Sequence, residues 1–163
     1  MHPDGYIQVA KAIVYGDLLQ NVTNRMRPYE VVPGSTDRLF RKWMDRCKDE
    51  LENGGYFQYK KTIRELVREF DNIPLVPNLW KPKVGVVGEI LAEYNPVANN
   101  RVEHVLAREG AEVVMPELAN FMMYMGFDGI SKHDLLDGSW LKKLGGRMFI
   151  KVADFFLAPM RKA

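Results

Sequence analysis

Five polar side chains crowd one stretch of this chain: Glu89, near the end of the apolar run 84–90, and Tyr94, Asn95, Asn99 and Asn100, which follow it. A carboxyl group at the end of a buried strand has its pKa raised by desolvation, which suits general acid or base work. Glu89 is therefore the candidate for chemistry, and no other catalytic residue is assigned. Tyr94, Asn95, Asn99 and Asn100 can hydrogen-bond a ligand such as an acyl-CoA amide or phosphate. The first turn of a following helix would add free N–H groups and the positive end of its dipole. Each residue also has a structural use. Glu89 can cap the next helix or pair with Arg101, asparagine is a good cap and turn former, and Pro96 suits a first helical position.

Other reactive residue types give less. Gly85 and Gly88 do not make the Gly-x-Gly-x-x-Gly dinucleotide fingerprint. His2, His104 and His133 have no metal-ligand spacing with Cys47, so no metal site is assigned. A single cysteine excludes an internal disulfide and any multi-thiolate cluster held by one chain, and it fits a reducing compartment. Cys47 falls on the inward stripe of a helix and reads as core. Twenty-three Lys and Arg against 21 Asp and Glu leave a charge of +2, far from a nucleic-acid-binding balance. Arg38, Arg41, Lys42, Arg46 and Lys48 alternate with Asp37, Asp45 and Asp49, as on a solvated helix face. No apolar run reaches the roughly 20 residues of a membrane span, and the first residues lack a secretory signal pattern. A cytoplasmic location is the expectation.

These residues need elements to position them. Ile7, Val9, Ile13, Val14, Leu18, Leu19 and Val22 give residues 6–26 a helical period, ended by Pro28 and Pro33. Ser35, Thr36 or Asp37 can cap a second helix with inward Phe40, Trp43, Cys47 and Leu51, stopped by Asn53-Gly-Gly. A third helix turns Ile63, Leu66, Val67 and Phe70 inward. Residues 74–81 form a proline-rich connector between a helical segment, 1–73, and an α/β segment, 82–163. There, 84–90 reads as a strand buried on both faces. Asn95 or Asn99 caps a helix facing inward through Val102, Val105 and Leu106, and Gly110 stops it. Glu112-Val-Val-Met-Pro is a second strand, completing a right-handed βαβ unit of Rossmann-like type.

Leu118, Phe121, Met122 and Met125 pattern another helix, residues 126–146 read as a Gly- and Asp-rich loop containing a short helix, and residues 147–160 close as an apolar helix. The fold class is α/β with a helical amino-terminal portion. Two parallel strands are too few for a stable sheet, so further sheet is expected from this chain, a second copy or sequence outside it, and self-association is expected through the βαβ edge or through Phe149, Val152, Phe155 and Phe156. The chain reads as one structural domain taken from a longer protein.

Four segments carry a resemblance. Val87-Gly-Glu-Ile followed by Tyr94-Asn-Pro-Val-Ala-Asn-Asn resembles large proteins related to the 2-hydroxyacyl-CoA dehydratases, which include 2-hydroxyglutaryl-CoA dehydratase, and to their ATP-dependent activators (CoA enzyme activases). Arg27-Pro-Tyr-Glu-Val-Val-Pro-Gly-Ser-Thr-Asp-Arg is similar to an upstream segment of those proteins, preceded by Gly16-Asp-Leu-Leu. Glu112-Val-Val-Met-Pro-Glu-Leu, after a Glu-Gly-Ala turn, is similar to their second strand. The likeness runs in order across most of residues 12–160.

The resemblance implies a parent that couples ATP hydrolysis to electron transfer, with 4Fe–4S clusters held by cysteines, for dehydration of 2-hydroxyacyl-CoA. With one cysteine, no Gly-rich phosphate loop and no ATPase signature, this chain departs from that picture. The resemblance thus implies a segment that is not catalytic by itself and shapes a substrate or cluster cavity beside the parent's other domains. An independent small-molecule-binding domain and an oligomerisation module are the alternatives.

Overall fold

A computed structural model describes residues 3–95, 97–136 and 140–163. Helix α1 spans Pro3–Met26 and runs through a 3-10 turn, Arg27–Tyr29, toward α2, Ser35–Asn53, and α3, Tyr56–Asp71. Strand β1, Lys83–Gly85, is followed by α4, Ile90–Tyr94, α5, Val102–Arg108, and β2, Glu112–Val114. Two long helices finish the chain, α6, Leu118–Leu136, and α7, Trp140–Arg161. The result is a mainly helical α/β mix. Among the described residues no helix is long and apolar enough to cross a membrane.

The core follows the helical periods. Val14, Tyr15, Leu18 and Leu19 of α1 pack with Trp43 and Cys47 of α2, with Tyr59, Ile63, Leu66 and Phe70 of α3, and with Phe156 and Leu157 of α7. The expected inward stripes of α2 and α3 hold at these residues, while Phe40, Leu51 and Val67 are half-buried at the margin. Ile7 and Val9 are exposed, contrary to the apolar stripe assigned to α1. Tyr59 donates to the carbonyl of Phe156 at 2.7 Å and anchors α7 on α3. On the outer face Lys42 pairs with Glu69 and Arg46 with Glu65, so much of the charge run on α2 is spent on α3.

Strand β1 pairs with β2 in parallel, Val84 opposite Val113, with α4 and α5 as the crossover. The strand expected over 84–90 is shorter and less buried. Ladder pairing ends at Gly85, Val86 adds one hydrogen bond to Val114, and Val87 lies 80% exposed. With a single three-residue partner, the rest of the apolar run has no ladder to join. The expected single helix is split into α4 and α5, whose N-cap is Arg101 in the left-handed region. Neither Asn95 nor Asn99 therefore caps α5. Its expected inner face is weak, because Val105 is exposed and no residue of α5 is fully buried. Gly110, at φ 89°, does stop it.

The expected loop over 126–146 is largely helix, α6 running to Leu136 and α7 starting at Trp140; residues 137–139 lie outside the described residues. The glycines there serve close packing. A Cβ on Gly146 would stand 2.6 Å from the Gly126 carbonyl oxygen, so side-chain-free backbone lets the two helices cross. The outer face of this hairpin leaves Tyr124, Met125, Trp140, Leu141, Leu144 and Met148 exposed. Of the four aromatic and apolar residues expected to face outward on α7, Phe149, Val152 and Phe155 do, whereas Phe156 is core.

Candidate functional site

The start of α2 is built by the segment before it. Ser35, Thr36 and Asp37 do not cap it; Gly34, at φ 81°, occupies the N-cap and no side chain caps from there. Instead Glu30 accepts from the Gly34 N–H, the Thr36 N–H at 2.8 Å and the Ser35 hydroxyl at 2.9 Å. Burial pushes the Glu30 carboxyl up, but the hydrogen bonds from Thr36, Gly34 and Ser35 outweigh it and hold the group below its ordinary range. A depressed carboxyl contributes stability above the unfolded pKa, near 4.3, and loses it as pH falls through the folded value. Glu30→Gln is expected to cost about 1–2 kcal/mol at neutral pH. Its stability, read from urea midpoints, should also fall less steeply than wild type on acidification below about pH 5. Parallel pH profiles would show that Glu30 is not the cap that matters.

Arg27 bonds Asp37 through Nε at 3.0 Å and Nη2 at 2.8 Å, locking the turn onto α2. Tyr29 donates to Glu112 Oε2 at 2.7 Å, tying the turn to β2. Asp17, buried on α1, accepts from the backbone N–H groups of Leu118 and Ala119 at 2.9 and 2.8 Å and so caps α6. Burial raises its pKa against the pull of those two bonds.

These anchors frame a cleft of about 840 Å³ between α1, the first turns of α2 and the crossover helices. Val9, Ala12, Ile13, Phe40, Met44 and Leu118 make its apolar wall. Asp17, Gln20, Thr23 and Asn24 line it along α1 and Arg27 from the 3-10 turn, facing Asp37 and Arg41 of α2, Tyr94, and Glu103 and His104 of α5. It continues into a groove of about 660 Å³ that shares Arg27, Asp37 and His104 and adds Asn100, Arg101 and Arg108. Thr23 and Asn24, 2% and 6% exposed, each bury one side-chain polar atom without a partner, Oγ1 and Nδ2.

The five candidate residues divide. Tyr94 lines the cleft and donates to the Pro116 carbonyl; burial, then the charges of Glu93, Asp17 and Glu117, push its pKa up to about 12. Asn100 lines the adjoining groove at φ 54°. Glu89 is exposed and accepts from the Ala92 N–H at 3.2 Å, which caps α4. Asn95 accepts from the N–H groups of Val97 and Ala98, while Asn99 donates to Glu93 O and accepts from the Arg101 N–H. Those three side chains shape the loop. Thr23, Asn24, Arg41 and His104 were missed as site residues, since on the sequence they are scattered polar positions on helices.

Cys47 does not suit a cluster ligand. It is 3% exposed in the core, and burial, then the charge of Glu50, pushes its thiol up to about 12. A 4Fe–4S cluster takes four thiolates, and this chain has one. Among the described residues no group of three or more His, Cys, Asp or Glu could hold a metal ion. His2, Pro96 and the His133 side chain lie outside the described residues. Comparison with protein-family models, curated proteins and solved structures finds no match to this chain.

Proposed function

We propose that this chain is a binding segment, without chemistry of its own, of a protein related to the 2-hydroxyacyl-CoA dehydratases and their activators, and that its cleft takes the acyl-CoA substrate. One observation carries the reading. All four sequence segments that bear the resemblance meet at this cleft, through Asp17, through Arg27 and Asp37, through Tyr94, and through Leu118. Asp37, Tyr94 and Leu118 lie 24 to 81 residues apart in the chain and have no local reason to converge. The chemistry of the walls supports the substrate class: an apolar wall for an acyl chain, and Arg101 and Arg108 in the adjoining groove for phosphates. The parallel pair β1–β2 with its helical crossover supports a Rossmann-like unit beside it. The ATPase and cluster chemistry of the parent belongs to its other domains.

Thermal shift of this chain tests the reading. Octanoyl-CoA is expected to raise Tm in a concentration-dependent way, since a ligand bound only to the native state stabilises it by mass action. ATP should not. A shift with ATP and none with octanoyl-CoA would overturn the assignment.

The exposed face of the α6–α7 hairpin is read as the seat of the parent's other domains. Apolar patches of this kind mark interaction sites. The isolated chain should therefore self-associate as concentration rises, and light scattering that reads a monomer throughout would contradict this.

A further inference from the structure

We infer that Arg101, His104 and Arg108 form a clamp for a phosphate group, set in the groove that opens from the cleft. The inference rests on reading the cleft as the acyl-CoA site for where that phosphate comes from, and adds which side chains hold it. The three residues stand three and then four apart, which places them on one face of α5, and all three are exposed and line the groove. His104 also lines the cleft, so it stands where the two spaces join. Among the described residues, none of the three side chains has a hydrogen-bond or ion-pair partner.

The carboxylates of the groove are committed elsewhere. Asp37 accepts from two nitrogens of Arg27, and Glu30 accepts from the Gly34 and Thr36 N–H groups and the Ser35 hydroxyl. Glu103 of α5 lines the cleft and not the groove. Arg27, Arg101 and Arg108 against Glu30 and Asp37 leave the groove positive even with His104 neutral. Guanidinium groups bind phosphate oxygens through paired N–H donors, and a neutral imidazole adds one donor more. Arg101 is also held at φ 53°, where a side chain is strained and glycine is not. A residue that served only as the N-cap would gain from being glycine there.

Titration calorimetry on the whole chain tests the clamp, with octanoyl-CoA, pyrophosphate, and octanoyl-pantetheine, which has the same acyl chain and no phosphate. Wild type should bind octanoyl-CoA about a hundredfold more tightly than octanoyl-pantetheine, the effect of charge-assisted hydrogen bonds. Pyrophosphate, which engages the clamp alone, should bind weakly. Arg101→Gly and Arg108→Gln should each lower the ratio of octanoyl-CoA to octanoyl-pantetheine affinity about tenfold, and His104→Leu about threefold. Arg101→Gly should leave Tm unchanged or higher, since glycine accepts the left-handed backbone. A ratio that keeps its wild-type value in any of the three variants would overturn the clamp. Equal binding of octanoyl-CoA and octanoyl-pantetheine by wild type would remove the clamp and leave the cleft reading standing. Pyrophosphate binding that is lost in Arg101→Gly, with no binding of octanoyl-CoA, would keep the clamp and remove the CoA reading.

Discussion

Lys11→Met is expected to cost the fold about 3–5 kcal/mol, the range for removing one partner of a buried ion pair. Lys11 and Glu50 are 3% and 7% exposed, and together they pin α1 to the end of α2. Lys11 Nζ donates to the Gly54 carbonyl at 2.8 Å and to Glu50 Oε1 at 3.4 Å, while Glu50 Oε2 accepts from the Tyr15 hydroxyl. Burial, then Glu50, raises the Tyr15 pKa, so its hydroxyl stays a donor. Methionine fills the volume but leaves the Glu50 carboxylate without its cation and the Gly54 carbonyl without its donor. In Lys11→Met/Glu50→Gln no bare charge remains, and most of the loss should return. Urea denaturation of the two singles and the double measures this. A Lys11→Met cost below about 1 kcal/mol, the size of an exposed pair, would show that the site is hydrated.

Asp17→Ala is expected to cost about 2–3 kcal/mol, because it strips the acceptor from two N–H groups at the start of α6. Ala119 is itself buried, so water does not readily replace the carboxylate. Asp17→Asn, which keeps one acceptor and sheds the burial cost of a charge, should lose about 1 kcal/mol or less. Hydrogen exchange at Leu118 and Ala119 should accelerate in Asp17→Ala more than at α3 amides. Uniform acceleration would mean that α6 and α3 open together and that the cap is not local.

The first three helices were legible because a 3.6-residue period survives wherever one face meets a core, as Trp43–Cys47 and Ile63–Leu66–Phe70 do. The cap of α2 was not, because its acceptor is Glu30, outside the helix and reached only after the turn at Gly34. Residues 126–146 misled because glycine reads as a breaker, yet Gly126 and Gly146 are where two helices touch. Their flanking Met and Phe residues were the signal available. The strand over 84–90 was overdrawn because an apolar run needs a partner to become a ladder, and β2 offers three residues. Of the candidate site, Tyr94 and Asn100 were legible at the strand's carboxyl side. Thr23 and Asn24 were not, since only tertiary packing shows which polar atoms of a helix end without partners.

The measurement that tests the central claim most directly is methyl-resolved NMR of this chain titrated with octanoyl-CoA. The cleft account predicts shifts at Ala12, Met44 and Leu118, with Met148 and Val152 unmoved. Those two line a neighbouring apolar groove of about 450 Å³ between α1, α6 and α7, which shares Val9 and Ile13 with the cleft. Shifts confined to Met148 and Val152, or none at saturating ligand, would contradict it.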